Sequence, residues 1–249
     1  MTPIETEVFE SSDALALGMA SQFVQIVGDA VERTGRCSIA LAGGSTPKHL
    51  YQRLSSDTFR PDVPWKRVDV FLSDERYVPI DHADSNYRMA REALLDHVPV
   101  DPERVHPVQT HLPAAEAALA YEERIRHVLE SSEPSVPSFD LILLGIGSDA
   151  HTASLFPHTG ALQVSDRLVV DNWVPQQDAV RITFTVPLLQ EATRVIMLAT
   201  GDDKADAIWQ LIEGPEDPSA SPCQHLRAAR GIVTIALDPA AAGRLRASA

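Results

Sequence analysis

Residues 139–152 read FDLILLGIGSDAHT. An apolar run with no polar alternation is the signature of a strand buried on both faces, which predicts a place inside a parallel sheet. The run breaks at once into glycine and charge. The same grammar occurs twice upstream, where CSIALA (37–42) passes into GGSTP (43–47) and VDVFL (68–72) into SDER (73–76). Further apolar runs predict strands over 167–170, 181–185, 195–199 and 232–237.

Between these runs lie stretches of helical period. Residues 11–33 carry one, with Ser or Asp available as cap, and others cover 47–54, 85–97, 113–129 and 203–212. Ser85 or Asn86 can cap the third, and Pro113 suits the start of the fourth. Strands spaced by helices predict an α/β fold, a mostly parallel sheet with helices on both faces. The segments SSEPSVPS (131–138) and GPEDPSASP (214–222) read as surface loops. The first is too short for a linker and runs straight into a core strand, so 1–249 is expected to form a single domain. The Ala-rich tail, 240–249, is expected to fray.

The chain of 249 residues carries 35 Asp and Glu against 21 Lys and Arg, a formal net charge of −14. Hydrophobic residues make up 44%, which excludes global disorder. The acidic balance argues against nucleic acid or an anionic membrane as partner, because the overall field repels both. Cys37 and Cys223 have no zinc or disulfide spacing, which fits a reducing compartment. No basic-then-apolar leader opens the chain, and no apolar run approaches the roughly 18–20 residues of a membrane span. A cytoplasmic protein is the expectation.

Chemistry is expected where strands end, since open α/β sheets bind ligands at that rim. Gly43 and Gly44 let backbone approach a ligand closely, and Ser45 or Thr46 can cap the helix that Pro47 begins. A helix N-terminus of this kind is an anion site, although an ordinary strand–helix turn has the same pattern. It is not a P-loop, for the Gly-Lys-Ser/Thr ending is absent. Asp74, Glu75 and Arg76 follow the next strand; a solvated turn with local ion pairs is the alternative there. After the third strand, Asp149 stands two residues before His151, a carboxylate able to orient an imidazole base. A lone histidine is more often structural. Gly145, Gly147 and Ala150 match a dinucleotide fingerprint weakly, with Asp171 as ribose acid. Pro157 and Gly160, however, leave only about two turns for the helix that should follow. No HExxH, Gly-x-Ser-x-Gly or Cys/His metal pattern occurs.

Taken in order, LAGGSTPKHLYQRL (41–54), FLSDERYVPIDHADSNYRMAREALL (71–95), DLILLGIGSDAHTASLFP (140–157), RITFT (181–185) and the 201–204 turn closely resemble the 6-phosphogluconolactonase family. The resemblance extends to the wider superfamily of glucosamine-6-phosphate deaminases and ribose-5-phosphate isomerase-like folds. It implies hydrolysis of 6-phospho-D-glucono-1,5-lactone to 6-phosphogluconate in the oxidative pentose phosphate pathway, with no metal or organic cofactor and a monomeric enzyme. Carried over by position, Gly43, Gly44, Ser45, Thr46, Arg181 and Lys204 would bind the phosphate. Asp74 and Arg76 would hold the sugar-acid end, and His151 would be the general base with Asp149 beside it.

Two positions sit awkwardly. The family has Gly where this chain has Ala150, which is strained if the backbone there needs a positive φ. Arg181 begins a predicted strand whereas the other site residues follow strands, so it reaches their rim only on an antiparallel strand or a loop. Three other readings remain. Glucosamine-6-phosphate deaminase shares the loop and the Asp-x-His, but has an acidic residue five positions after the His, where this chain has Phe156. A non-catalytic sugar-phosphate-binding regulator would not need the Asp149–His151 pair. An NAD-dependent dehydrogenase rests on the glycine pattern alone.

Overall fold

A computed structural model describes residues 4–246. Strand β1 (Ile4–Val8) opens the chain and helix α1 (Ser12–Thr34) follows it. The Ser11 hydroxyl accepts from Ala14 N, and Gly35 closes the helix with φ 80°, a left-handed cap that glycine adopts without strain. Then come β2 (Cys37–Leu41), α2 (Ser45–Leu54), β3 (Val68–Leu72), β4 (Asp74–Arg76), α3 (Asn86–Ala93) and α4 (Ala114–Val128). The second half holds β5 (Leu141–Leu144), β6 (Val169–Val174), β7 (Ala179–Phe184), α5 (Val186–Glu191), β8 (Arg194–Ala199), α6 (Ala205–Ile212) and β9 (Ile232–Leu237).

Six strands form one sheet in the order β1-β9-β8-β5-β2-β3, and every pairing in it is parallel. All residues of β2, β3 and β5 are buried, as their unbroken apolar runs require. Alternation along each strand splits the core in two. Ile39, Leu41, Leu141 and Leu143 face α1, α2 and α3, while Ala40, Ile142 and Leu144 face α4, α5 and α6. The expected parallel sheet with helices on both faces is therefore present. At 23 residues α1 is long and apolar enough, by length and composition, to cross a membrane, yet its Leu15–Met19–Phe23–Val27 stripe packs against the sheet.

A second sheet, β4-β7-β6, is antiparallel throughout. Its Val169, Ile182 and Phe184 join the same core cluster as Ile142 and Leu144. The chain steps from one sheet to the other at Ser73, whose N–H donates to Leu41 O and whose carbonyl accepts from Phe184 N. No crossover helix follows β5. Loops and a short 3₁₀ turn at Gly160–Gln163 lead into the β6–β7 hairpin instead. The dinucleotide reading fails on this, since no helix N-terminus stands after Gly145 and Gly147, and Asp171 is an exposed residue of β6. Of the tail, Ala241 is fully buried, Arg244 pairs with Asp206 and Arg246 N donates to Glu213; 247–249 lie outside the described residues.

Candidate active site

The site is built where β2, β3 and β5 end. Helix α2 begins at Ser45, two residues earlier than its periodicity predicts, with Gly44 rather than Ser45 or Thr46 as N-cap. Gly44 takes φ 103°, open to glycine alone at low cost. Gly43 is needed for a different reason: a Cβ there would overlap the Asn86 side-chain amide, which donates to Asp74 O at 2.9 Å. Thr46 is tied to Thr200 by a 2.8 Å hydroxyl–hydroxyl bond, joining this loop to the end of β8.

The stretch Asp74-Glu75-Arg76 is no solvated turn. Asp74 is 8% and Glu75 2% exposed, because β4 pairs with β7 and packs against α3. Glu75 accepts from the backbone N–H groups of Arg76, Asn86 and Tyr87 at 2.7–2.8 Å and from Ser85 Oγ at 3.1 Å. It thereby anchors the N-terminus of α3, where Ser85 is the cap. Burial pushes the Glu75 carboxyl pKa up, against the pull of these donors. Asp74 Oδ2 accepts from Ser154 Oγ at 2.6 Å.

Arg181 reaches the rim because β7 runs antiparallel to β4, and the register sets it directly opposite Arg76. Opposed residues of an antiparallel pair put their side chains on one face about 5 Å apart. Desolvation, then the Arg76 charge, holds the Arg181 pKa below the ordinary arginine range. Arg76 Nη1 donates to Asp84 O at 2.8 Å and Arg181 Nη2 to Gln177 Oε1, while Arg181 Nε is buried without a partner. Two guanidinium groups held together with a donor to spare have the chemistry to receive an anion.

His151 Nδ1 lies 2.5 Å from Asp149 Oδ1. Burial opposes ionisation of Asp149, but the hydrogen bond and charge of His151 outweigh it and hold the carboxyl below its usual range. With a carboxylate as acceptor Nδ1 is the donor, and in the neutral imidazole that tautomer leaves the lone pair on Nε2. The dyad turns tightly: Gly147 has no room for a Cβ against the His151 ring, and Ala150 between the two residues takes φ 64°. The positive φ that glycine would suit is required here. The phenyl ring of Phe156 stacks on the imidazole at 4.0 Å between centroids. Lys204 closes the rim from the turn after β8, paired with Asp203 at 2.8 Å.

Every site residue expected from the sequence except Asp149 lines one cleft of about 250 Å³, and Asp149 stands behind His151. The same cleft is lined by Asn86, Ser154, Phe156 and Gln177, to which the sequence reading assigns no role in binding or catalysis. Asn86 is marked as a helix cap within the stretch 71–95 that carries the resemblance, and Gln177 carries no mark. Ser154 lies within the segment 140–157 without a pattern to mark it, and Phe156 is marked there only as the position at which the deaminases carry an acid. Among the described residues no group of three or more His, Cys, Asp or Glu could hold a metal ion.

The sequence model described as glucosamine-6-phosphate isomerases/6-phosphogluconolactonase matches residues 10–235. A 6-phosphogluconolactonase of Nostoc sp. is 40% identical over 242 residues, which cover 96% of this chain and 97% of that one. One of Synechocystis sp. is 41% identical, covering 87% and 88%. Among solved structures, the 6-phosphogluconolactonase from Trypanosoma cruzi superposes with a TM-score of 0.86 at 33% identity, covering 98% of each chain. A monomeric glucosamine-6-phosphate deaminase, 19% identical with a TM-score of 0.82, shares the fold. By the match along its length and the likeness of both sequence and structure, the chain belongs to the glucosamine-6-phosphate isomerase/6-phosphogluconolactonase family.

Proposed function

We propose that the protein hydrolyses 6-phospho-D-glucono-1,5-lactone to 6-phospho-D-gluconate, the lactonase step of the oxidative pentose phosphate pathway. One observation carries this reading: the Asp149–His151 dyad opens on the cleft that also gathers Arg76, Arg181, Lys204 and the N-terminus of α2. A base and an anion receptor in one small cleft suit a phosphorylated ester. The family and the relatives' activity support the same substrate class.

In this mechanism Nε2 of His151 takes a proton from water as the water oxygen attacks the C1 carbonyl. Asp149 holds the ring in the required tautomer and stabilises the imidazolium. The tetrahedral intermediate then collapses, the bond from C1 to the ring oxygen breaks, and that oxygen recovers the proton from the imidazolium. Such a base contributes typically about 10²–10⁴ in rate. Gly43–Thr46, Arg181 and Lys204 bind the phosphate, and Asp74 and Arg76 hold the sugar-acid end. Binding the remote phosphate supplies the energy that positions C1.

The deaminase reading is disfavoured by Phe156, five positions after His151, where the resemblance places an acid in that family and this chain has an apolar ring. The monomer belongs to this reading as what the family resemblance implies. The shared core of the two sheets supports one domain, and the buried free thiols of Cys37 and Cys223 suit a reducing cytoplasm.

The decisive assay follows loss of freshly generated phosphogluconolactone, run beside glucosamine 6-phosphate. Wild type should accelerate only the first, and His151→Ala should remove most of that rate, about 10²-fold or more, with an unchanged circular dichroism spectrum. Full activity in the variant would remove His151 as the base.

A further inference from the structure

We infer that Phe156 is a positioning residue for the lactonase reaction, its phenyl ring holding the plane of the His151 imidazole so that Nε2 addresses the bound ester. The inference rests on the reading of His151 as the base.

Three contacts fix the imidazole. Asp149 holds its Nδ1 edge at 2.5 Å, and Gly147 crowds that same side too closely to carry a side chain. Neither contact sets the rotation of the ring about the line through Nδ1. The Phe156 ring does, since it lies over the imidazole face with centroids 4.0 Å apart and planes 20° from parallel. A flat wall on one face leaves the ring a single orientation, and it excludes water from that face.

The wall is itself anchored. Phe156 is 2% exposed. Its carbonyl accepts from Thr159 N at 3.2 Å and Thr159 Oγ1 at 2.9 Å. The buried Asn172 amide on β6 donates to Thr159 Oγ1 at 3.0 Å and to Ser154 O at 2.9 Å. Ser154 N in turn donates to Thr183 Oγ1 on β7 at 3.1 Å. The second sheet thus grips the segment 154–159 from two strands, and through Phe156 that grip reaches the base. A ring used only to fill space would not need its backbone tied beside the dyad.

The test compares Phe156→Leu, which keeps bulk but loses the flat face, with Phe156→Tyr, which keeps the face. For each variant kcat and KM are measured on phosphogluconolactone, with the stoichiometry and Kd of 6-phosphogluconate binding by calorimetry. Misaligned reacting groups lose rate rather than binding, so Phe156→Leu should lower kcat about 10- to 100-fold. Its KM, product Kd and one-to-one stoichiometry should stay within about twofold of wild type. Phe156→Tyr should recover most of kcat.

Wild-type kcat in Phe156→Leu would overturn the proposal while leaving the hydrolysis reading intact. So would a kcat as low in Phe156→Tyr as in Phe156→Leu, which would mean packing alone, or a loss shared equally between KM and kcat. A fall in binding stoichiometry matching the fall in kcat would overturn it too, by showing misfolding. An inactive wild type would overturn the hydrolysis reading and this proposal with it.

Discussion

Ala150 stands at the tightest point of the site with φ 64°, between the two members of the dyad. For an L-residue that conformation costs roughly 1 kcal/mol. The Ala150 methyl is 4% exposed and joins the core cluster with Ile142 and Leu155, a burial worth about 0.8 kcal/mol. The two effects nearly cancel. Ala150→Gly should therefore shift unfolding free energy by less than about 1 kcal/mol, read from the urea midpoint, and leave kcat unchanged. A loss above roughly 2 kcal/mol would mean that the methyl does more than fill space. Lys204 offers a cleaner separation of roles. Lys204→Ala should raise KM for the phosphorylated lactone at least about tenfold, and KM for unphosphorylated gluconolactone hardly at all, since a lost charge-assisted contact is worth roughly 1.5–3 kcal/mol. Equal effects on both substrates would show that Lys204 does not bind phosphate. At this scale the sequence is legible where a side chain has its own chemistry, as with His151 and Lys204. It is silent where the work is done by a flat ring or a buried hydroxyl, as with Phe156 and Ser154. Those residues act through neighbours that only the fold supplies.

Among the elements, β2, β3 and β5 could be read directly because burial on both faces leaves an unbroken apolar run. Strand β4 could not. It is three residues, Asp-Glu-Arg, and no hydrophobic pattern marks it. It is a strand because β7 pairs with it and because α3 lends Glu75 its free N–H groups. The antiparallel course of β7, which brings Arg181 to the rim, is likewise a fact of tertiary pairing. The second sheet is held to α4 by the apolar core, where Tyr121 stacks on Phe184, and by one buried carboxylate. Glu122 is 2% exposed; its Oε2 accepts from Arg167 Nε at 2.8 Å and from Leu168 N at 3.0 Å at the head of β6, and its Oε1 pairs with Arg126. Burial works against its ionisation, but Arg167 and the backbone donors prevail and depress its pKa. A carboxylate with a folded pKa below its unfolded value of about 4.3 contributes stability above that pH, and the contribution is lost as pH falls through the folded value. Glu122→Gln should cost about 2–3 kcal/mol at pH 7, roughly 5–10 °C in Tm, by turning an amide toward donors that need an acceptor. Its stability should also fall less steeply than wild type below about pH 4.3. Parallel acid limbs in the two proteins would show that another group controls the decline.

For the molecule as a whole, a net charge of −14 surrounds the cleft that we propose takes an anion. The two belong to different ranges. Arg76, Arg181 and Lys204 act at contact, inside the screening length at any ordinary salt concentration. The acidic remainder is spread over a body whose radius of gyration is about 18 Å for this length. That distance is inside the Debye length of about 30 Å at 0.01 M salt and well outside the length of about 8 Å at 0.15 M. Without those three cations the remainder carries −17, since 18 Lys and Arg then face 35 Asp and Glu, and at that range it repels each ligand charge by roughly 2 kcal/mol at the lower salt and a few tenths at the higher. Salt should then remove the remote repulsion while sparing the contact attraction. The product carries a carboxylate that the lactone lacks, so it feels the repulsion more. The expected result is unusual in sign: 6-phosphogluconate should inhibit more tightly at 0.15 M than at 0.01 M salt, and the Ki of product should fall by up to about tenfold relative to the KM of substrate, the effect of its one extra charge. Progress curves at the two salt concentrations measure both quantities. Weaker inhibition at the higher salt, the usual behaviour of an ion pair, would show that the three cations govern the ligand at every distance and that the acidic surface does not assist product release.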